Sequence, residues 1–282
     1  MITTASERLV IWLVRGITYV VVLVVGYILL DIVVKGVGVV NWTFLTTAPK
    51  VDGSGGVFPA IVGTLYLVTG TIAVALPLGM ASAIYLTEYA TQGRFTRLVR
   101  LAIVTLAGVP SIVFGLFGLG LFVLFMNFGT SIAAGSLTLA CMILPTIIVS
   151  SEEALRAVPQ ALREASLALG ATKWETIRKN VLPYAIPGML TGSILGIGRA
   201  AGETAPILLT VAAFFLPNLP DSIFDQVMAL PYHLYVLATQ YPNPDAVRPT
   251  QYGTALVLLL LVLGLNIGAI VLRVHFRKRY RW

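Results

Sequence analysis

Charged residues are scarce in this sequence. Only 11% of its 282 residues are Asp, Glu, Lys or Arg, whereas 57% are hydrophobic. Soluble globular domains carry about 25% charged residues, so the composition excludes an ordinary soluble protein and predicts an integral membrane protein in contact with a lipid bilayer. The net charge of +7 fits basic residues beside apolar spans, and we expect no nucleic-acid partner.

Residues that commonly build catalytic or metal sites are also few. The chain has one cysteine, Cys141, and two histidines, His233 and His275, which lie far apart in the sequence. It lacks a G-x-x-x-x-G-K-[ST] phosphate-binding loop, an H-E-x-x-H pair and a G-x-S-x-G turn. We therefore expect no enzyme active site, no metal and no cofactor in this chain.

The hydrophobic residues form long runs instead. A helix needs ~20 apolar residues to cross the hydrocarbon core of a bilayer, and six segments reach that length. The sequence thus predicts an all-α, polytopic membrane protein with one transmembrane domain over 1–282, and the first run is long for a cleaved signal peptide. The predicted spans are Gly16–Val34, Ile61–Leu86, Leu101–Phe125, Ser131–Ser150, Tyr184–Phe214 and Tyr252–Leu272.

Basic residues lie mostly on one side of these spans. Fifteen of the 19 Lys and Arg residues precede the first span, follow the sixth, or lie in the two loops that join spans two to three and four to five. By the positive-inside rule, that side is cytoplasmic. Both termini and the loop 151–182 are therefore predicted to be cytoplasmic, whereas the loops 35–60 and 215–251 are predicted to be external.

The loop 151–182 carries strong local signals. Pro159 can begin a helix, and Gly170 stands where a left-handed glycine would end it. Thr172 and Glu175 have the spacing of a capping box that starts a second short helix. That helix would have an exposed apolar face made of Trp174, Ile177 and Val181. Two interpretations remain open: a surface helix folded back on the membrane, or a docking site for a soluble partner.

The fifth span contains unusual residues for a membrane helix. Glycines at 188, 192 and 196 would allow close helix packing, and Pro206 should kink the helix because it removes the hydrogen bond to the carbonyl of Gly202. Arg199 and Glu203 lie four residues apart, on one face near the middle of the span. A charge at that depth is costly, so the pair is either a structural ion pair inside the bundle or an anion site on a transport path.

Part of the cytoplasmic loop resembles a known motif. The run Glu164-Ala165-Ser166-Leu167-Ala168-Leu169-Gly170, with Leu182-Pro183 at the matching distance, resembles the EAA loop of ABC importer permeases. In that family the loop forms a coupling helix that inserts into a groove of the ATPase subunit. Two positions depart from the usual pattern: Ser166 replaces the second alanine, and Asn180 stands where isoleucine is common. The resemblance assigns ATPase coupling to Glu164, Ala165, Ser166, Leu167, Gly170, Ala171 and Thr172.

Four further segments resemble phosphate-specific importer permeases of the PstA type. They are Gly198-Arg199-Ala200-Ala201-Gly202-Glu203-Thr204-Ala205-Pro206-Ile207, Val109-Pro110-Ser111-Ile112-Val113-Phe114-Gly115, Glu152-Glu153-Ala154-Leu155-Arg156-Ala157-Val158-Pro159 and Phe58-Pro59-Ala60-Ile61-Val62-Gly63-Thr64.

This resemblance implies a type I ABC importer permease fold in the bacterial cytoplasmic (inner) membrane and import of inorganic phosphate by alternating access. It also implies a heterodimer with a PstC-type permease, two copies of a cytoplasmic ATPase that binds ATP and Mg, and an external phosphate-binding protein. The substrate path would include Arg199, Glu203 and Thr204.

Three alternatives follow from the same sequence. The nearest is a permease for another oxyanion, such as sulfate or molybdate, which would share the EAA loop but would not be expected to match the segment around Arg199. A membrane enzyme would need a polar catalytic cluster at the cytoplasmic face, and the sequence offers none. An ion channel would leave the coupling loop without a role.

Overall fold

The computed structural model describes residues 5–91 and 93–279. Within them the chain is helical and forms no strand beyond two isolated bridges, which confirms the predicted all-α class. Arg281, one of the fifteen basic residues counted on the predicted cytoplasmic side, lies outside the described residues. The helices are α1 Ala5–Val37, α2 Trp42–Thr46, α3 Phe58–Ile84, α4 Arg94–Ala107, α5 Ser111–Gly118, α6 Ile132–Arg156, α7 Gln160–Ala168, α8 Lys173–Thr176, α9 Leu182–Gly202, α10 Ala205–Thr210, α11 Leu230–Thr239 and α12 Pro244–Arg279.

Three helices continue into π-helical turns, in which backbone hydrogen bonds reach one residue further than in an α-helix. These turns are Tyr85–Tyr89 after α3, Leu119–Phe125 after α5 and Ile177–Val181 between α8 and α9. The last one joins α8 to α9, so the second short helix predicted in the cytoplasmic loop is the beginning of the fifth span rather than a separate element.

Within the described residues, five continuous helices are long and apolar enough to cross a membrane. The predicted third span is different, because α4 and the helix Ser111–Phe125 meet at an angle of 106°. Gly108 ends α4, and Pro110 disfavours the helical conformation at Val109, so the helix cannot continue through this point. The predicted six spans are present if the bent pair is counted as one. The continuous spans are Leu9–Val37, Phe58–Tyr89, Ile132–Arg156, Lys173–Gly202 and Pro244–Lys278.

Helix α6 lies at the centre of the bundle. It packs against α3 on one side and α9 on the other, while α12 packs on α9 and α1 contacts α12. In the most apolar stretch of α6, 67% of the residues are buried, compared with 0% in α1. The contact between α6 and α9 depends on small residues, because a side chain at Gly192 would overlap Ser150 and one at Gly188 would press on Ala154. This confirms the predicted close packing along the glycine stripe.

Helix α1 is held to α12 near the predicted external end. Lys35 Nζ lies 2.6 Å from Asp31 Oδ1, and the hydroxyl of Tyr252 donates a hydrogen bond of 2.9 Å to Asp31 Oδ2. Gly36 allows the helices to approach, because a side chain there would press on the backbone carbonyl of Tyr252. The hydrogen bond from Tyr252 to Asp31 and the close approach at Gly36 therefore hold this otherwise exposed helix against α12.

The loop 215–251, predicted to be external, contains the helix α11, which covers Leu230–Thr239. The backbone amide of Leu230 donates to Thr64 Oγ1 at 2.9 Å, which anchors this helix on α3. His233 in α11 is only 4% exposed, and neither ring nitrogen has a hydrogen-bond partner in the described chain. Burial lowers the pKa of His233 from 6.5 to about 4.

This histidine should make the protein less stable in mild acid. Because the folded-state pKa lies below the unfolded value, the unfolded chain binds the proton first. Stability is therefore lost as the pH falls from about 6.5 towards 4. Between pH 7 and pH 5 the loss should be about 2 kcal/mol. Thermal melting of the purified protein at both pH values checks this, and His233→Phe should shrink the pH-dependent fall in Tm. An unchanged fall in that variant would contradict the assignment.

Candidate functional site

The fifth span breaks at the predicted charge pair. Helix α9 ends at Gly202, and Glu203 adopts an extended conformation with φ −76° and ψ 133°. Thr204 then begins the short helix α10, where its carbonyl accepts a hydrogen bond of 3.1 Å from Leu208. Pro206 lies in the first turn of α10, where its missing N–H leaves no helical bond unmade. The kink predicted at Pro206 is thus a complete break, about one helical turn earlier.

Arg199 and Glu203 form an ion pair across this break. The Nε atom of Arg199 donates to Oε1 of Glu203 at 3.0 Å, and the two side chains are 42% and 18% exposed. Neither terminal nitrogen of the Arg199 guanidinium has a hydrogen-bond partner within residues 5–91 and 93–279. The arginine therefore keeps one edge on the carboxylate and presents its paired donors outward.

The interior behind Glu203 has no room for an anion. A cavity between α3, α6 and α11 reaches this carboxylate, but its volume is about 10 Å³. That is about enough for a single water molecule. A solute that meets Arg199 must approach from the exposed side of α9, outside the folded chain, rather than through the core of this subunit.

The predicted coupling residues form a compact turn at the other end of the same long helix. Pro159 precedes α7 in an extended conformation, and Gly170 has φ +84°, as the sequence predicted. Thr172 Oγ1 accepts from the amide of Glu175, whose carboxylate accepts from the amide of Thr172, so the predicted capping box is confirmed. These local bonds fix the turn at 168–173 without help from the rest of the protein.

The exposed surface of this turn is partly apolar. Leu169 is 90% exposed, Trp174 54% and Leu167 49%. Glu164 and Ala165 are exposed on α7, Ala171 is half-buried and Ser166 is buried. The predicted apolar face was wrong for Ile177 and Val181, which are 1% and 0% exposed, because the helix continues into the bundle and these side chains join its core.

Buried polar contacts hold α7 against the bundle. The guanidinium of Arg163 lies 3.0 Å from Glu88 Oε1, and both side chains are largely buried at 13% and 9% exposure. Arg163 also donates to the carbonyls of Val158 and Leu155. The sequence did not indicate this pair, because its members are 75 residues apart. It ties the predicted coupling turn to the end of the second span that is predicted to be cytoplasmic, beside an open cleft of about 720 Å³.

One continuous helix connects the two candidate regions. The span Lys173–Gly202 contains 30 residues, which corresponds to about 45 Å at the rise of an α-helix. The coupling turn lies at its first residue, and the Arg199–Glu203 pair lies at its last turn. A displacement of one end can therefore be passed mechanically to the other.

Two further features near these regions could not be found from the sequence. Asn266 of α12 packs against Gly198, and its Oδ1 is buried without a hydrogen-bond partner in the described chain. In addition, buried Ser166 and Thr176 form a polar cluster with the half-buried Asn180. Within the residues that the structure describes, no group of three His, Cys, Asp or Glu side chains is placed to hold a metal ion.

Comparison with known proteins gives a consistent result. Residues 75–282 match the family model described as the binding-protein-dependent transport system inner membrane component. The chain is 40% identical over 229 residues to the phosphate transport system permease protein PstA 1 of Mycobacterium tuberculosis, covering 81% of this chain and 73% of that protein. It is 32% identical over 263 residues to the probable phosphate transport system permease protein PstA of Methanocaldococcus jannaschii, covering 92% of this chain and 91% of that protein.

Solved structures with the same fold are more distant in sequence. The bacterial alginate ABC transporter, solved with an alginate-bound periplasmic protein, contains a chain that matches with a TM-score of 0.65 at 13% identity, covering 95% of this chain and 94% of that one. A chain of the inward-facing MetNI methionine ABC transporter matches with a TM-score of 0.58 at 17% identity, covering 78% of this chain and 94% of that one. These likenesses support the predicted type I ABC importer permease fold.

Proposed function

Because the chain belongs to the family of binding-protein-dependent transport system inner membrane components, we propose that it is the permease subunit of an ATP-driven importer that moves inorganic phosphate into the cytoplasm by alternating access. The main observation behind the proposal is the Arg199–Glu203 ion pair at the break in the fifth span. Relatives at 32% to 40% identity that are named as phosphate permeases support the choice of substrate.

The chemistry of the pair suits phosphate. A guanidinium presents paired N–H donors that match two oxygens of a tetrahedral oxyanion, and Arg199 has its terminal nitrogens unengaged. When no substrate is present, Glu203 neutralises Arg199, so no unpaired charge remains at that depth. When phosphate is present, the carboxylate can accept a hydrogen bond from a protonated phosphate oxygen. Sulfate carries no proton at neutral pH and would be repelled. Thr204 supplies a further hydroxyl at the break.

The path for phosphate lies between two subunits in this proposal. The cavity behind Glu203 is too small for an anion, while Arg199 is 42% exposed in the isolated chain. A second permease of the PstC type would cover this exposed face and enclose the path. Two copies of a cytoplasmic ATPase would bind ATP and Mg and drive the cycle through the coupling turn, because this chain has no phosphate-binding loop of its own. An external binding protein would deliver phosphate.

Uptake by cells tests the proposal. Deleting the gene should abolish high-affinity uptake of radiolabelled phosphate and leave sulfate uptake unchanged, and a plasmid copy should restore it. Purification of the tagged chain should recover a second permease and an ATPase. Normal phosphate uptake with loss of sulfate or molybdate uptake would assign the chain to another oxyanion.

The charge asymmetry also makes a prediction about orientation in the bacterial cytoplasmic membrane. With both termini on the cytoplasmic side, a reporter that is active only in the cytoplasm should work when fused after the last residue, and it should also work when inserted at 90–93. A second reporter that needs the external compartment should work only within the loop 215–251. External activity at the C-terminus would refute the model of six crossings.

A further inference from the structure

The two positions that depart from the EAA pattern meet in the folded protein. Ser166 replaces an alanine, and Asn180 replaces an isoleucine, 14 residues later. In the structure, Asn180 Nδ2 donates a hydrogen bond of 2.8 Å to Ser166 Oγ. The two departures from the pattern are therefore related, because each residue supplies the polar partner that the other requires.

A third polar residue completes the cluster. Ser166 Oγ lies 2.9 Å from Thr176 Oγ1, and these two side chains are 7% and 3% exposed. The cluster therefore joins α7 to the helix that begins at Lys173, at a buried position. A buried hydroxyl that loses its partner destabilises the site. Ser166 is the residue that both other members contact, so its replacement removes both hydrogen bonds of the cluster.

The cluster lies at a point where the helix that leads into the fifth span can bend. Asn180 lies in the π-helical turn Ile177–Val181, which directly precedes Leu182-Pro183. A π-helical turn and a proline are both points at which a helix bends. Without a lateral connection, a push on α7 could be absorbed by bending at this turn. Hydrogen bonds have preferred directions, so the cluster opposes rotation of α7 relative to the fifth span more effectively than an alanine–isoleucine contact.

We propose that Ser166, Thr176 and Asn180 form a hydrogen-bonded clamp that transmits movement of the coupling turn to the fifth span. They are positioning residues: they do not meet the substrate, and they act through α9 on the Arg199–Glu203 pair at its far end. Loss of the clamp lets the ATPase move α7 while α9 stays in place, so ATP hydrolysis continues without transport. This inference rests on the proposed function as an ATP-driven permease.

The test uses the complete complex in proteoliposomes with the external binding protein. ATP hydrolysis and phosphate uptake are measured in the same vesicles, and their ratio is the readout. The variants are Ser166→Ala, Asn180→Ile and the double variant that restores the usual pair. Ser193→Ala is the matched control, since Ser193 is also buried and its hydroxyl bonds only within α9, to the Met189 carbonyl. Ser166→Cys is a milder variant of nearly unchanged volume.

We expect Ser166→Ala to lower phosphate uptake per ATP by about fivefold or more, the change that corresponds to one lost hydrogen bond. Asn180→Ile should have a smaller effect, because Ser166 keeps Thr176. The double variant should match Ser166→Ala, because both hydrogen bonds of the cluster use Ser166 and Asn180 has none left to lose once Ser166 is replaced. Ser166→Cys should lie between wild type and Ser166→Ala, and Ser193→Ala should match wild type.

The clamp is refuted if the double variant shows the product of the two single effects, or if all variants keep the wild-type ratio. If Ser166→Ala fails to assemble, Ser166→Cys and Asn180→Ile decide the question, and wild-type ratios in both refute the clamp. A separate result tests the proposed function: a wild-type complex that transports a different solute and no phosphate would overturn the phosphate assignment. The variant ratios, measured with that solute, would still test the clamp.

Discussion

Gly170→Val should reduce phosphate import to background while the protein still folds. Gly170 has φ +84°, in the left-handed region where an ordinary side chain costs roughly 1–2 kcal/mol and a β-branched one more. No heavy atom lies near the position of an added Cβ, so the penalty comes from the backbone alone. The turn would relax to another conformation and displace the exposed Leu169 and the capping box at Thr172. Uptake by cells and the amount of ATPase that co-purifies provide the measurement.

Two substitutions separate loss of the turn from general strain. Gly129 has φ +65° and also an open Cβ position, but it lies in the turn between α5 and α6. Gly129→Val should carry a similar backbone strain and retain most of its transport per assembled complex. Gly170→Asn should retain activity, because asparagine tolerates the left-handed conformation. Normal uptake by Gly170→Val would remove the coupling role from this turn.

Arg199→Lys should abolish most phosphate transport without preventing assembly of the complex. Lysine keeps the positive charge and can still pair with Glu203, but it lacks the rigid pair of donors that fits two phosphate oxygens. The expected loss is about 10-fold or more in uptake, which corresponds to a charge-assisted hydrogen bond of about 1.5–3 kcal/mol. Initial uptake rates in proteoliposomes, corrected for the amount of complex, give this number.

Glu203→Gln should change selectivity more than rate. The amide has nearly the same shape and still accepts a hydrogen bond from Arg199, so the break between α9 and α10 should be preserved. It no longer repels an unprotonated anion, so discrimination against sulfate should weaken. Competition by sulfate in the same uptake assay measures this.

Two outcomes would refute the assignment of the pair. If both variants import phosphate at the normal rate and selectivity, Arg199 and Glu203 do not lie on the substrate path. If both fail to assemble, the pair is required for assembly, which favours a structural contact inside the bundle over a contact with substrate.

The coupling turn could be predicted in detail because its structure is local. Pro159, Gly170 and the Thr172–Glu175 capping box each act through bonds within a few residues, so the sequence pattern and the structure agree closely. The apolar spans and the closely packed glycines of α9 could be predicted for the same reason. In each case the physical cause lies in one segment, or in the size of a few small residues.

Features that depend on long-range contacts could not be predicted. Arg163 meets Glu88 across 75 residues, and nothing in either segment indicates the other. Ile177 and Val181 were predicted to be exposed because the fifth span was predicted to begin at Tyr184, whereas the helix begins at Lys173 and buries both. The break at Glu203 was assigned to Pro206, since a proline is the visible signal, although the proline lies in the next helix. The charges at 199 and 203 could be identified because ionisable residues are rare within membrane spans.

Transport by the purified complex tests the central claim most directly. The permease is reconstituted with its co-purifying partners, with ATP and Mg²⁺ on the ATPase side and the binding protein with radiolabelled phosphate on the other. Our account predicts that phosphate accumulates only with ATP and that a large excess of sulfate does not reduce the rate. ATP-dependent accumulation of sulfate in place of phosphate, or ATP hydrolysis stimulated by the binding protein without any phosphate uptake, would contradict it.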